Sequence, residues 1–75
     1  MLDHNKLLRR FKLERIEDAS GVSGIGEVAV GVEVFDKRCY LFWLGDHTSH
    51  NEYNSIEDVE FLHGHQGRTL IVWLD

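Results

Sequence analysis

The chain has 75 residues and a net charge of −5. That length allows one domain with one small core and leaves no room for a second. A single cysteine, Cys39, excludes an intrachain disulfide and suits a reducing compartment.

In chain order, residues 1–9 read as an N-terminal extension and residues 10–75 as one small domain. The extension has no apolar stretch of the kind a signal peptide needs, and no run in the chain is long enough for a membrane span. From Phe11 to Glu17 the alternation of Phe11 and Leu13 with Lys12 and Glu14 predicts a first strand, broken at Ile16. Residues 18–26 carry Gly21, Gly24 and Gly26 with two serines and read as a loop. Glu27 to Phe35 is the clearest strand, with Val28, Val30, Val32 and Val34 on one face and Ala29, Gly31 and Glu33 on the other.

Asp36-Lys37-Arg38 is a hairpin connection. Cys39 to Leu44 follows as a strand apolar on both faces, with Cys39, Leu41 and Trp43 opposed to Tyr40, Phe42 and Leu44. A turn at residues 45–47 leads to a short polar strand, Ser49 to Tyr53. Ser55 then has the chemistry of a helix N-cap, with Glu57 and Asp58 in the first turn. Ile56, Val59 and Leu62 are expected on one side of that helix, and Gly64 as its left-handed stop. Thr69 to Leu74 is the last strand, again apolar on both faces.

This order predicts a mainly β fold, a small SH3-like five-stranded barrel with one short helical turn before the last strand; an OB-fold is the main rival, but its helix usually falls between strands three and four. Such a barrel has one interior. The surplus apolar strand residues must therefore be covered by the N-terminal segment, the helical turn, a second copy or a protein partner.

Charge and aromatic content set the candidate sites. Lys6, Arg9, Arg10, Lys12 and Arg15 make the leading segment basic, while the remainder holds eleven acidic side chains against Lys37, Arg38 and Arg68. Lys6, Arg9, Arg10 and Lys12 are thus the candidates for a nucleic-acid contact, and the acidic body argues against it. Tyr40, Phe42, Trp43, Tyr53 and Trp73 are candidates for a partner-binding surface, and core packing is expected to claim at least two of them. Few basic residues frame them, which favours protein over nucleic acid. His47, His50, His63 and His65 form two pairs whose spacing permits a metal site without defining one. The glycine loop precedes a strand where a phosphate-binding loop would precede a helix. No serine or cysteine has a base and an orienting group at a telling spacing, so no enzyme and no cofactor are expected.

Gly21-Val22-Ser23-Gly24-x-Gly26, then Trp43-Leu44-Gly45-x-His47-x-Ser49, and above all Ser55-Ile56-Glu57-Asp58-Val59-Glu60 followed by His63-Gly64-His65-x-Gly67-x-Thr69-x-Ile71-Val72-Trp73-Leu74-Asp75 carry a resemblance. Over roughly residues 10–75 the chain resembles small SH3-like proteins of actinobacterial phages, prophages and haloarchaea. The resemblance implies an accessory protein of a mobile element and implies no activity. The expected function is a non-enzymatic binding module in the cytoplasm of a bacterial or archaeal host, modulating or inhibiting a host or defence protein by direct contact. A homodimer, a nucleic-acid-associated barrel and a histidine metal site are the alternatives.

Overall fold

The computed structural model describes residues 7–17, 25–45 and 48–75, without the side chain of His65. The elements are β1 (Leu8–Arg15), β2 (Gly26–Val34), β3 (Cys39–Trp43), β4 (His50–Tyr53), α1 (Ile56–His63), a 3-10 turn at His65–Gly67, and β5 (Thr69–Trp73). The strands form one antiparallel sheet in the order β4-β3-β2-β1-β5. The fold is mainly β, with one short helix before the last strand, as the pattern of the sequence predicts. β4 and β5 are the two edges of the sheet and do not pair with each other. α1 spans the interval between them and touches both.

β1 starts earlier than the alternation of Phe11 and Leu13 suggested. Leu8 pairs with Val34 and Arg9 with Glu33, so two residues assigned to the extension belong to the sheet. The nine-residue β2 continues past Gly31 to Val34, and Arg10, Arg9 and Leu8 pair along that continuation. At the other end, the N–H groups of Ile16 and Glu17 both donate to the Arg68 carbonyl, at 2.8 and 3.2 Å. That fork ends the strand where the apolar period breaks.

The core consists of Phe11, Leu13, Ala29, Cys39, Leu41 and Val59, with Val28, Trp43, Tyr53, Ile56, Ile71 and Trp73 packed against it. On β2 the enclosed face is therefore that of Ala29 and Gly31, while Val30, Val32 and Val34 take the outer one. Phe11 sits opposite Gly31 across the β1–β2 pair. A Cβ at Gly31 would collide with the Phe11 ring and approach the Tyr40 carbonyl oxygen to 2.8 Å. Glycine is needed here to admit a neighbouring ring. Val28 escapes the outer set because a bulge intervenes: Leu13 pairs with Ala29 and Glu14 with Glu27, which leaves Val28 as the extra residue.

The β2–β3 hairpin closes with Lys37 at φ 78°. A lysine thus stands in the left-handed conformation that glycine adopts at least cost. The Asp36 carboxylate compensates locally, accepting from the Arg38 N–H at 3.2 Å and from Arg38 Nε at 2.8 Å.

α1 begins as expected, with Ser55 Oγ accepting from the Asp58 N–H at 3.3 Å. Two expectations about it are corrected. Leu62 is 55 % exposed. At 100° per residue it lies roughly 90° away from the midline of Ile56 and Val59, a position His63 occupies instead. Gly64 is right-handed, with φ −69°, and Gln66 and Gly67 supply the positive φ values. Gly64 serves as an anchor: its carbonyl accepts from Gly67 at 3.1 Å and from Thr69 at 3.0 Å, which launches β5.

Candidate functional site

The register places a continuous row of outer-face residues across the sheet: Val72, Lys12, Val30, Phe42 and His50. The adjacent row holds Arg10, Val32, Tyr40 and Glu52. Val30 and Phe42, cross-strand neighbours near the middle of the sheet, are 39 % and 45 % exposed. Phe42 also stacks on the His50 ring, with centroids 5.8 Å apart. The result is an apolar patch on β2 and β3 with solvent over it.

Polar groups tied to one another rim this patch. On the β4 side, Glu52 Oε1 accepts from Arg38 at 3.2 Å and from the Tyr40 hydroxyl at 3.4 Å. On the β1 side, Lys12 Nζ lies 2.7 Å from Glu27 Oε1. Arg10 grips Asp75 through Nε and a terminal nitrogen, each at 2.8 Å, and through its backbone N–H at 2.9 Å. The Arg10 hydrogen bonds hold the Asp75 carboxyl well below the usual carboxylate range, and they raise the Arg10 guanidinium in turn. Bidentate arginine–carboxylate geometry fixes both side chains, so the rim on this side is ordered.

The five aromatics named as candidates for a partner surface fall on two faces. Tyr40 and Phe42 lie on the outer face. Trp43 shares parity with Cys39 and Leu41, Tyr53 pairs with Cys39, and Trp73 pairs with Phe11, so these three face inward against the core. Trp43 donates from Nε1 to Asn51 Oδ1 at 3.1 Å and packs edge-on to His63 at 4.9 Å. The Tyr53 hydroxyl and His63 Nε2 are 2.7 Å apart, and burial pushes the Tyr53 phenol up. Trp43, His63 and Tyr53 thus close the interior where α1 crosses the end of the sheet.

The basic candidates are likewise divided. Lys6 lies outside the described residues. Arg9 is on the inner face, its guanidinium carbon 3.8 Å from the Trp73 ring centroid and its Nε donating to the Asp75 carbonyl at 3.1 Å. Arg10 and Lys12 are on the outer face in the ion pairs given above. A phosphate backbone would have to displace those partners, and the three cations do not form one track.

Among the histidines, His50 stacks on the outer face and His63 packs on the inner one. The sheet separates them. His47 and the side chain of His65 lie outside the described residues, as do Gly21 and Gly24 of the glycine loop. Among the described residues no group of three or more His, Cys, Asp or Glu side chains is arranged to hold a metal ion. Cys39 is fully buried, and burial pushes its thiol up to about 11, which leaves it protonated at neutral pH. No helix among the described residues is long and apolar enough to cross a membrane.

Two features escape the sequence patterns. Val30 and Val32 complete the outer patch, yet their alternation alone does not say which face is enclosed. Phe61 is 87 % exposed and borders a groove of about 640 Å3 between α1 and β5. Its place on the helix opposite Ile56 and Val59 is the signal that could have found it.

A protein-family model described as Acb5 phage protein matches residues 8–75, starting where β1 starts. No curated protein matches the chain, and no solved structure does.

Proposed function

Because this chain belongs to the Acb5 phage protein family, we propose that it is a non-enzymatic binding module of the phage that acts in the host cytoplasm by protein–protein contact. Its target in this reading is a host or defence protein, which it modulates or inhibits. The observation that carries the reading is the exposure of Val30 and Phe42 at the centre of the outer face. Removing apolar surface from water contributes about 25 cal/mol per Å2, so a sheet face of this kind gains by being covered. Aromatic residues at the centre of such patches also dominate binding energy. The rim of paired charges gives the patch the anatomy of an interface, apolar inside and polar at its border. The non-enzymatic part of the reading draws support from Cys39, which is enclosed, and from Asp36, Glu52 and Asp75, which are engaged by arginines.

The test compares the immobilised protein with its Phe42→Asp variant in host lysate. We expect the parent to retain a host protein that the variant loses, with Kd for that protein weakened at least about 30-fold, the equivalent of a 2 kcal/mol hot spot. The variant should melt close to the parent temperature, since Phe42 lies outside the core. Retention of the same host proteins by both forms, or of none by either, would overturn the reading.

A further inference from the structure

We propose that the free edge of β5 is a strand-addition site, and that its occupant is an extended segment of a partner protein in which basic and apolar side chains alternate. The hydrogen-bond pattern identifies the free groups. Leu74 N–H donates to the Arg10 carbonyl at 2.9 Å, and Arg68 C=O accepts from Ile16 at 2.8 Å. Backbone direction alternates along a strand, so Arg68, Leu70, Val72 and Leu74 turn their groups toward β1. Thr69, Ile71 and Trp73 turn theirs away. The Thr69 N–H is taken by the Gly64 carbonyl at 3.0 Å. That leaves the Thr69 carbonyl and both backbone groups of Ile71 and Trp73 along the edge.

α1 stands off from this edge and leaves the groove between them. Ile56, Glu57, Glu60, Phe61, Ile71 and Trp73 line it. Its volume of about 640 Å3 falls within the range of roughly 300–1,000 Å3 usual for binding clefts. Thr69 also lines the groove; it is 4 % exposed, and its hydroxyl has no hydrogen-bond partner among the described residues.

Exposed edges are normally blunted by charge, proline or shortness. β4, at the opposite edge, is short and carries His50, Asn51 and Glu52. β5 is Thr-Leu-Ile-Val-Trp, with neither charge nor proline. An added strand sits about 4.8 Å from its neighbour, with side chains alternating between the two faces. One set would enter the groove toward Glu57 and Glu60, which form no ion pair among the described residues. The other set would lie beside Leu70 and Leu74, which are 43 % and 51 % exposed on the outer face. Basic residues suit the first environment and apolar ones the second. A second copy of this chain fits less well, because its β5 brings no positive charge to the two glutamates and each chain carries −5. The proposal does not depend on the β2–β3 patch.

The probe is a heptapeptide of alternating lysine and valine, with a glutamate–valine heptapeptide as its control. We expect the full chain to bind the first and not the second. Exchange of the Ile71 and Trp73 amides, followed by NMR, should slow on binding while that of Val72 stays as it was. Converting Glu57→Gln together with Glu60→Gln should weaken Kd about tenfold or more, as expected for losing charge-assisted contacts. Phe42→Asp should leave it unchanged. Equal binding by the double variant, binding without slowed exchange at Ile71 and Trp73, no binding at all, or loss of binding in Phe42→Asp would each overturn the proposal. Self-association in sedimentation that slows the same two amides without peptide would overturn it in favour of a second copy.

Discussion

On one face of β2, Ala29 and Gly31 are enclosed; on the other, Val30, Val32 and Val34 are only partly covered. The bulkier side chains therefore lie outside. The difference teaches that a strand's own hydrophobicity does not choose its core face. Volume on the neighbouring strands does. Phe11 and Leu41 flank Gly31, and both are fully buried. Their bulk fills the interior to the density that protein cores require, and only small residues fit between them. The valines still serve the strand, because β-branched side chains favour a pleated surface whether or not it is enclosed.

Three substitutions would break or sharpen this contrast. The largest effect is expected from Phe11→Ala, which removes the ring that occupies the space above Gly31. It should cost about 3–5 kcal/mol, against a total stability of about 4–11 kcal/mol for a chain of this length. Urea denaturation should accordingly find the variant largely unfolded or close to it. Next comes Gly31→Ala, which should cost about 1–3 kcal/mol through overpacking. Part of that loss should return when it is combined with Phe11→Leu. A double-mutant cycle without such coupling would remove Phe11 as the reason for the glycine. The smallest effect belongs to Val32→Thr on the outer face, within about 0.5 kcal/mol by thermal melting. A loss of the size found for Phe11→Ala would mean that the outer face is covered in the isolated protein.

The same contrast explains how much could be read in advance. The strands, the hairpin and the Ser55 cap were legible because alternation and capping are local properties. The opposition of Cys39, Leu41 and Trp43 to Tyr40 and Phe42 was legible for the same reason. Which of these two sets faces inward, and with which set Tyr53 and Trp73 belong, was not legible, since parity within one strand says nothing about parity between strands until the register is known. A spacing of three places Leu62 beside Ile56 and Val59, whereas 3.6 residues per turn puts His63 on that midline. Gly64 looked like a left-handed stop, but the backbone continues right-handed there and turns at Gln66 and Gly67. The groove was out of reach, because it exists only where α1 and β5 come to lie side by side.

The sequence by itself determined the order of the described strands and the helix, the helix start, and the presence of more apolar strand surface than one interior holds. These follow from periodicity and from side-chain chemistry within a few residues. Only the tertiary structure decided which face of β2 is enclosed, that Arg9 and Arg10 both reach Asp75, and that β5 is left as an uncharged edge beside a groove. Each of these depends on pairs distant in the chain, such as Phe11 with Gly31 and Arg10 with Asp75. Packing volume and strand register settle such pairs, and no local pattern encodes them.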